Sequence, residues 1–149
     1  KELASYLGVA LEAKALVSDV RKAVLALRAA KGMLLDAQDH DTWSAGSFFI
    51  NPIVSADVAA KLPTDAPRWP QADGRVKTSA AWLMEHAGVK KGEIHNGAGV
   101  STKHVLALVN NGNAKASDIV EMARLARSAV KEKFGIVLEP EVQFVGLSL

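Results

Sequence analysis

Residues 117–134 read SDIVEMARLARSAVKEKF and form the longest stretch of helical periodicity in the sequence. Its apolar residues recur every three or four positions and share one face: Ile119, Met122, Ala123, Ala126, Ala129, Val130 and Phe134. Ser117 is the expected N-terminal cap, and Gly135 tolerates the left-handed conformation that ends a helix. The pattern predicts a long helix with one buried face.

Shorter elements are predicted on both sides of this helix. Helices are expected at 1–7, 18–30 (capped by Ser18), 56–62 and 79–86, and strands at 48–50, 105–109, 136–138 and 142–147. Three prolines should hold 63–73 open as a loop. Because no regular strand–helix–strand alternation is present, the predicted class is α+β, with helices packed on a short, mainly antiparallel sheet.

The composition excludes several classes of function. The chain has 149 residues and a formal charge of +2, with 18 Lys and Arg against 16 Asp and Glu, so nucleic acid is not an expected partner. The sequence contains no cysteine, which excludes disulfides, thiol nucleophiles and iron–sulfur clusters. It also has no uninterrupted apolar stretch of about 18 residues, so no membrane-spanning helix is expected.

Two further kinds of site lack their usual residue patterns. The four histidines, His40, His86, His95 and His104, show no metal-ligand spacing, so we expect no metal. The run Gly97-Ala98-Gly99 has Thr102 where a dinucleotide-binding loop needs its third glycine. The chain therefore carries no recognisable nucleotide-binding loop.

Residues 45–52, AGSFFINP, form the first of three candidate functional patterns. Gly46 permits close approach of a ligand to the backbone, and the Ser47 hydroxyl can donate or accept a hydrogen bond. The alternative is that Ser47 simply lies in the turn that enters a strand.

The segment 138–142, LEPEV, is the second pattern. An acid facing a dry pocket would have a raised pKa and could donate a proton. The alternative is a pair of solvated acids, Glu139 and Glu141, at the end of a strand.

Isolated cations form the third pattern. Lys31, Lys77 and Lys91 each lie near a loop or a helix end, where a lysine can bind a phosphate as a point charge. The alternative is that all three are ordinary solvated side chains.

Taken in order along the chain, these patterns resemble one enzyme family. The motifs are Arg28-x-x-Lys31-Gly32, Ala45-Gly46-Ser47-Phe48-Phe49-x-Asn51-Pro52, Pro70-Gln71-Ala72-Asp73-Gly74-x-Val76-Lys77, Ala81-Trp82-Leu83, Lys91-Gly92, Asn113-Ala114 and Leu138-Glu139-Pro140-Glu141-Val142. Together they resemble the C-terminal part of the UDP-N-acetylenolpyruvoylglucosamine reductases, also called UDP-N-acetylmuramate dehydrogenases. The resemblance covers nearly the whole chain.

The resemblance implies an oxidoreductase of peptidoglycan synthesis, and hence of cell wall biogenesis, cell shape and cell division. In this family NADPH reduces a bound FAD, and the flavin then passes a hydride to the enolpyruvyl group of the nucleotide sugar. The implied location is the cytoplasm. The implied partners are UDP-N-acetylenolpyruvoylglucosamine and an FAD-binding lobe, supplied in cis or by another chain.

The resemblance also implies roles for six residues. Ser47 is the proton donor to the substrate, and Glu141 is the carboxyl group that helps to stabilise the intermediate. The implied substrate-binding residues are Lys31, Asn51, Lys91 and His104. The chain departs from the family at Ile50, where lysine is common, and at His104, where some relatives have glutamine.

The resemblance divides the chain into three parts. Residues 1–31 would be the tail of the FAD-binding region, 32–135 the substrate-binding domain, and 136–149 a segment that returns toward the FAD-binding region. Since most of that region has no counterpart here and the first residue is Lys1, we expect a fragment that is inactive alone. The alternative is a non-catalytic UDP-sugar-binding module.

Overall fold

A computed structural model describes all 149 residues and contains five helices and seven short strands. The helices are α1 (Glu2–Leu7), α2 (Val17–Ala30), α3 (Ala56–Ala60), α4 (Ala80–His86) and α5 (Ala116–Phe134). The strands are β1 (Ser44–Ser47), β2 (Ile53–Val54), β3 (Arg68–Pro70), β4 (Val76–Thr78), β5 (Ile94–His95), β6 (Ala98–Val100) and β7 (Ala107–Asn110). All strand pairs are antiparallel, in sheets ordered β1-β7-β6-β5 and β2-β4-β3, which confirms the predicted α+β class.

The central core lies between α5 and the four-stranded sheet. Helix α5 packs against β6, β7 and α4, and its predicted apolar face supplies the fully buried Ala123 and Val130. Leu83 and Met84 of α4 close the core from another side and have no exposed surface. By contrast, α1 contains no buried residue and α2 contains only Ala23.

The predicted caps of two helices are wrong. Helix α5 begins at Ala116 instead of after Ser117, and the Asp118 carboxylate accepts a hydrogen bond of 2.7 Å from the backbone N–H of Lys115. Asp118 thus closes the first turn from inside the helix. Ser18 likewise lies within the first turn of α2, since the backbone carbonyl of Leu16 accepts the first helical hydrogen bonds.

The predicted strands at 136–138 and 142–147 do not form. This segment makes one isolated bridge to the sheet region, between Phe49 and Pro140. Ile136 and Leu138 are nevertheless buried in the central core. The segment is therefore held by side-chain packing and a few backbone hydrogen bonds.

The predicted strands at 48–50 and 105–109 are displaced, since β1 ends at Ser47 and β7 covers Ala107–Asn110.

The predicted loop 63–73 contains the edge strand β3. The guanidinium of Arg68 donates hydrogen bonds to the backbone carbonyls of five residues: Ala59, Leu62, Pro63, Thr64 and Ala66. One arginine therefore orders the approach to β3, and Pro70 is tolerated because the strand lies at an edge.

Replacing Leu138 tests whether the last segment is part of the core. Leu138 is fully buried, so Leu138→Ala should lower the free energy of unfolding by about 2–5 kcal/mol, measured by urea denaturation. The neighbouring Val137→Ala is the matched control, because Val137 is 38% exposed and should cost less than about 1 kcal/mol. Equal effects of the two substitutions would contradict this packing.

Candidate functional site

Backbone hydrogen bonds attach the LEPEV segment to the residues that follow β1. The N–H of Glu141 donates to the carbonyl of Phe48 at 2.8 Å, and the N–H of Ile50 donates to the carbonyl of Glu139 at 3.0 Å. Between these two bonds, Phe49 is 1% exposed. The two segments therefore lie side by side, and this places Ser47 next to Glu141.

A bulge in β1 sets the direction of Ser47. Pairing with β7 shifts register between Ser44 and Ser47, so that the intervening residues are not matched one for one. Gly46 has φ of +84°, a conformation that L side chains rarely adopt. Such bulges re-aim the side chain that follows, and here that side chain is Ser47.

Ser47 and Glu141 line the same two depressions. One has a volume of about 600 Å³ and is also lined by Arg28 and Met33. The other, of about 450 Å³, is also lined by Asn51 and Lys77. The hydroxyl of Ser47 is half-buried and Glu141 is exposed, so the dry environment expected for an acid of this segment is not formed by these residues alone.

His104 is the side chain that contacts the Ser47 hydroxyl. Its Nε2 lies 3.4 Å from Ser47 Oγ, and its half-buried ring follows a turn built on the buried Ser101. Ser101 Oγ accepts hydrogen bonds from the backbone N–H groups of Lys103 and His104 at 3.1 and 3.3 Å. That turn orients the imidazole toward β1.

Two aspartates before β1 anchor the same turn. The Asp41 carboxylate accepts hydrogen bonds of 2.8 Å from both the N–H and the hydroxyl of Thr102. Asp39 pairs with Lys103 at 2.8 Å, and this contact lowers the pKa of Asp39 and raises that of Lys103. The aspartates thus tie the start of β1 to the turn that carries His104.

Lys31 and Lys91, two of the predicted substrate-binding residues, act electrostatically on a third, His104. Burial, followed by the positive charges of Lys31 and Lys91, lowers the pKa of His104, while Glu85 opposes the shift. Lys31 pairs with Glu2 at 2.9 Å and Lys91 with Glu85 at 3.5 Å, and all of these side chains are substantially exposed. The fold therefore brings Lys31 and Lys91 within electrostatic range of His104, the residue that contacts Ser47, although none of the three lines the two depressions.

Asn51 has a structural contact as well as a place in the site. Its Oδ1 accepts a hydrogen bond of 2.9 Å from the backbone N–H of Ala80 at the start of α4. Its carbonyl oxygen is therefore engaged by the fold, which leaves the side-chain NH₂ group for a ligand in the adjoining depression.

Arg28 and Asp41 lie at or near the site, although the sequence analysis gave neither of them a role. Arg28 lines the larger depression and donates to the carbonyl of Met33 at 3.4 Å. The only feature of the sequence that could have placed Arg28 at the site is its position three residues before Lys31. Asp41 lies in a polar stretch that reads as a simple turn, so its contact with Thr102 could not be found from spacing.

The glycines of 97–99 do not form a dinucleotide-binding loop. Gly97 precedes β6, and Gly99 lies inside this buried strand, where an added Cβ would be 2.7 Å from the carbonyl oxygen of Glu93. A flavin dinucleotide needs a diphosphate site at a loop or helix start, so these residues do not fit FAD. The chain also has no cluster of three potential metal-ligating side chains, and no helix is long and apolar enough to cross a membrane.

Removing either lysine near His104 tests this electrostatic arrangement. Lys31→Gln and Lys91→Gln should each raise the pKa of His104, because less positive charge makes protonation of the ring easier. The imidazole signals in an NMR pH titration measure the effect. Lys77→Gln is the control, since Lys77 does not act on His104, and an unchanged His104 pKa in both test variants would contradict the arrangement.

Comparisons with known proteins match most of the chain to one family. The family model for the C-terminal domain of UDP-N-acetylenolpyruvoylglucosamine reductase matches residues 38–145. A protein of that name from Cutibacterium acnes is 50% identical over 151 residues, covering 99% of this chain and 39% of the relative. UDP-N-acetylenolpyruvoylglucosamine reductase 2 of Corynebacterium glutamicum is 54% identical over 140 residues, covering 87% of this chain and 37% of the relative.

A solved reductase from Thermus caldophilus matches 85% of this chain and 34% of its own, with 25% identity and a TM-score of 0.46. The chain therefore spans less than half the length of these relatives. The matched family model covers most of the chain, and it includes Ser47, Lys91, His104 and Glu141. The chain belongs to the UDP-N-acetylenolpyruvoylglucosamine reductase C-terminal domain family.

Proposed function

We propose that this chain is the substrate-binding part of a reductase that converts UDP-N-acetylenolpyruvoylglucosamine to UDP-N-acetylmuramate with FAD and NADPH. The observation that carries the proposal is the shared cavity of Ser47 and Glu141, which lie far apart in the sequence. Binding of a substrate alone would not require both a hydroxyl and a carboxyl group beside one cavity. The whole activity is assigned to a complete protein of the relatives' length.

Ser47 is proposed as the proton donor to C2 of the enolpyruvyl group. A flavin bound by the rest of the complete protein would supply a hydride to C3, and negative charge would then lie next to the substrate carboxylate. A serine hydroxyl is a weak acid in water, so the basic carbanion must supply much of the driving force for the transfer. The half-buried Ser47 places its hydroxyl at the cavity wall, where such a transfer needs it.

Glu141 is proposed to act on the same developing charge, together with an arginine of the flavin-binding region. Groups that are held in position before the reaction stabilise new charge without reorganisation at the moment of transfer. The backbone bond from Glu141 to Phe48 supports this role, because it holds the carboxyl-bearing residue against the strand end that carries Ser47.

The nucleotide part of the substrate is proposed to contact Lys31, Lys91, Asn51 and His104. A diphosphate is doubly charged, and lysine binds phosphate oxygens as a compact cation. Both lysines act on the imidazole that touches Ser47, which supports a diphosphate position close to the reacting group.

The proposed domain division follows the same reasoning. In this proposal, residues 32–135 form the substrate-binding domain, 1–31 the tail of the flavin-binding region, and 136–149 a segment that returns toward that region. The near absence of buried residues in α1 and α2 supports this assignment for the first part. The first residues of the last part also pack into the central core, through Ile136 and Leu138.

Ser47→Ala in the complete protein tests the proton-donor role. The rate at which the enolpyruvyl substrate reoxidises reduced flavin should fall by about 10²–10⁴-fold, the usual contribution of a positioned proton donor. Reduction of the flavin by NADPH should not change, because Ser47 has no part in that step. Stopped-flow absorbance separates the two half-reactions.

Ser128→Ala is the control for this experiment, since Ser128 is exposed on α5 away from the cavity. Equal losses in both half-reactions would contradict the role of Ser47. A complete wild-type protein that binds the UDP-sugar but never transfers a hydride to it would favour the non-catalytic binding module instead.

The 149-residue chain purified alone tests where the flavin is held. It should show no flavin absorption band near about 450 nm and no oxidation of NADPH, because the cofactor carries the hydride chemistry. The absence of a dinucleotide-binding loop at Gly97 and Gly99 supports this expectation. A yellow preparation of this chain with activity would contradict it.

A further inference from the structure

If Ser47 is the proton donor, a proton must be returned to its oxygen after each reaction. After Ser47 gives its proton to C2, its oxygen carries a negative charge and needs a proton before the next turnover. The structure places one titratable side chain against that oxygen, His104, with Nε2 3.4 Å from Ser47 Oγ. A hydrogen bond over this distance is weak in the free protein and can shorten when charge develops.

Two lysine side chains act on His104 before substrate binds. Lys31, which follows α2, and Lys91, which follows α4, both disfavour a positive charge on the ring, and Glu85 of α4 partly offsets them. Together with burial, these charges lower the pKa of His104 below its usual value of about 6.5. Near neutral pH the free site therefore holds a neutral imidazole.

The same two lysines are the proposed contacts of the substrate diphosphate. Binding a dianion beside them offsets the part of the lowering of the His104 pKa that the two lysines cause, while the larger part caused by burial remains. This coupling between substrate binding and the charge of His104 rests on the proposed function of the site. It requires no group beyond those present in the chain and the substrate.

We propose that His104 takes up a proton when a UDP-sugar binds, and that the resulting imidazolium donates its Nε2 proton to Ser47 after Ser47 has protonated the substrate. In the first transfer, the Ser47 O–H bond breaks and a C–H bond forms at C2. In the second, the Nε2–H bond of His104 breaks and the Ser47 O–H bond forms again. His104 returns to its neutral form and regains a proton from water when the next substrate binds.

The direction of the pH dependence follows from these charges. In the free protein the pKa of His104 is lowered, and in the complex it rises as the phosphates offset Lys31 and Lys91. Between the two pKa values, binding is accompanied by uptake of up to one proton, and affinity falls by at most about tenfold per pH unit as the pH rises. Below the lower pKa, His104 is protonated in both states and the coupling disappears.

Calorimetric titration of the complete protein with UDP-N-acetylglucosamine tests the coupling. The diphosphate of this nucleotide sugar has no group that titrates near neutral pH, so any proton taken up there is given up by the buffer and bound by the protein. The observed binding enthalpy, measured in two buffers of different ionisation enthalpy, should differ in proportion to the protons taken up. His104→Gln should abolish that difference, because an amide does not titrate but retains one hydrogen bond to Ser47.

His95→Gln is the matched control. His95 lies on β5 and contacts Glu121 of α5 at 3.2 Å, outside the cavity of Ser47, so its replacement should leave the proton uptake unchanged. In a steady-state assay, repeated turnover should slow as the pH rises through the pKa of bound His104, because Ser47 is then not reprotonated between turnovers. In His104→Gln the reaction should be slower, and this pH dependence should be absent.

The outcomes separate this inference from the proposed function. Binding without proton uptake, or equal uptake in His104→Gln, overturns the role of His104 even if the wild-type protein reduces the enolpyruvyl sugar. Absence of UDP-sugar binding overturns it too, because the diphosphate would not be at the lysines. Proton uptake in a protein that never reduces the enolpyruvyl sugar would support the coupling at His104 and contradict the proposed reductase function.

Discussion

The arrangement of the site depends on a short backbone contact between two segments from opposite ends of the domain. The N–H of Glu141 donates to the carbonyl of Phe48, and Ile50 donates in return to Glu139. The pairing consists of one bridge, between Phe49 and Pro140. The buried side chains of Phe49 and Leu138, on the two segments, keep this short contact in place. Without it, Ser47 and Glu141 would not face one cavity.

A second constraint acts on the other side of Ser47. The turn of 101–104 is fixed from within by Ser101 and from outside by Asp41, so the backbone that carries His104 is held beside β1. Lys31 and Lys91 then act electrostatically on the imidazole that this turn carries. A half-buried imidazole between two lysines is sensitive to any anion that approaches those lysines, because its surroundings screen charge less than water does.

The predictions from sequence succeeded where the signal was local. The apolar period of α5 and its end at Gly135 are both observed, since each depends on residues a few positions apart. They failed where hydrogen bonds between separate segments decided the outcome. The predicted loop 63–73 contains an edge strand because Arg68–Pro70 pairs with β4, and the segment after α5 makes only one bridge to the residues that follow β1.

The sequence by itself determined the α+β class, the long core helix and the family, because periodicity and ordered motifs are properties of neighbouring residues. It also named Ser47, Glu141, Lys31, Lys91, Asn51 and His104 as candidates through the resemblance. Only the tertiary structure decided that Ser47 touches His104, that Asp41 anchors Thr102, and that Arg28 lines the same cavity as Glu141. These contacts join residues far apart in the chain, and no local pattern encodes them, since they exist only once the core has brought the segments together.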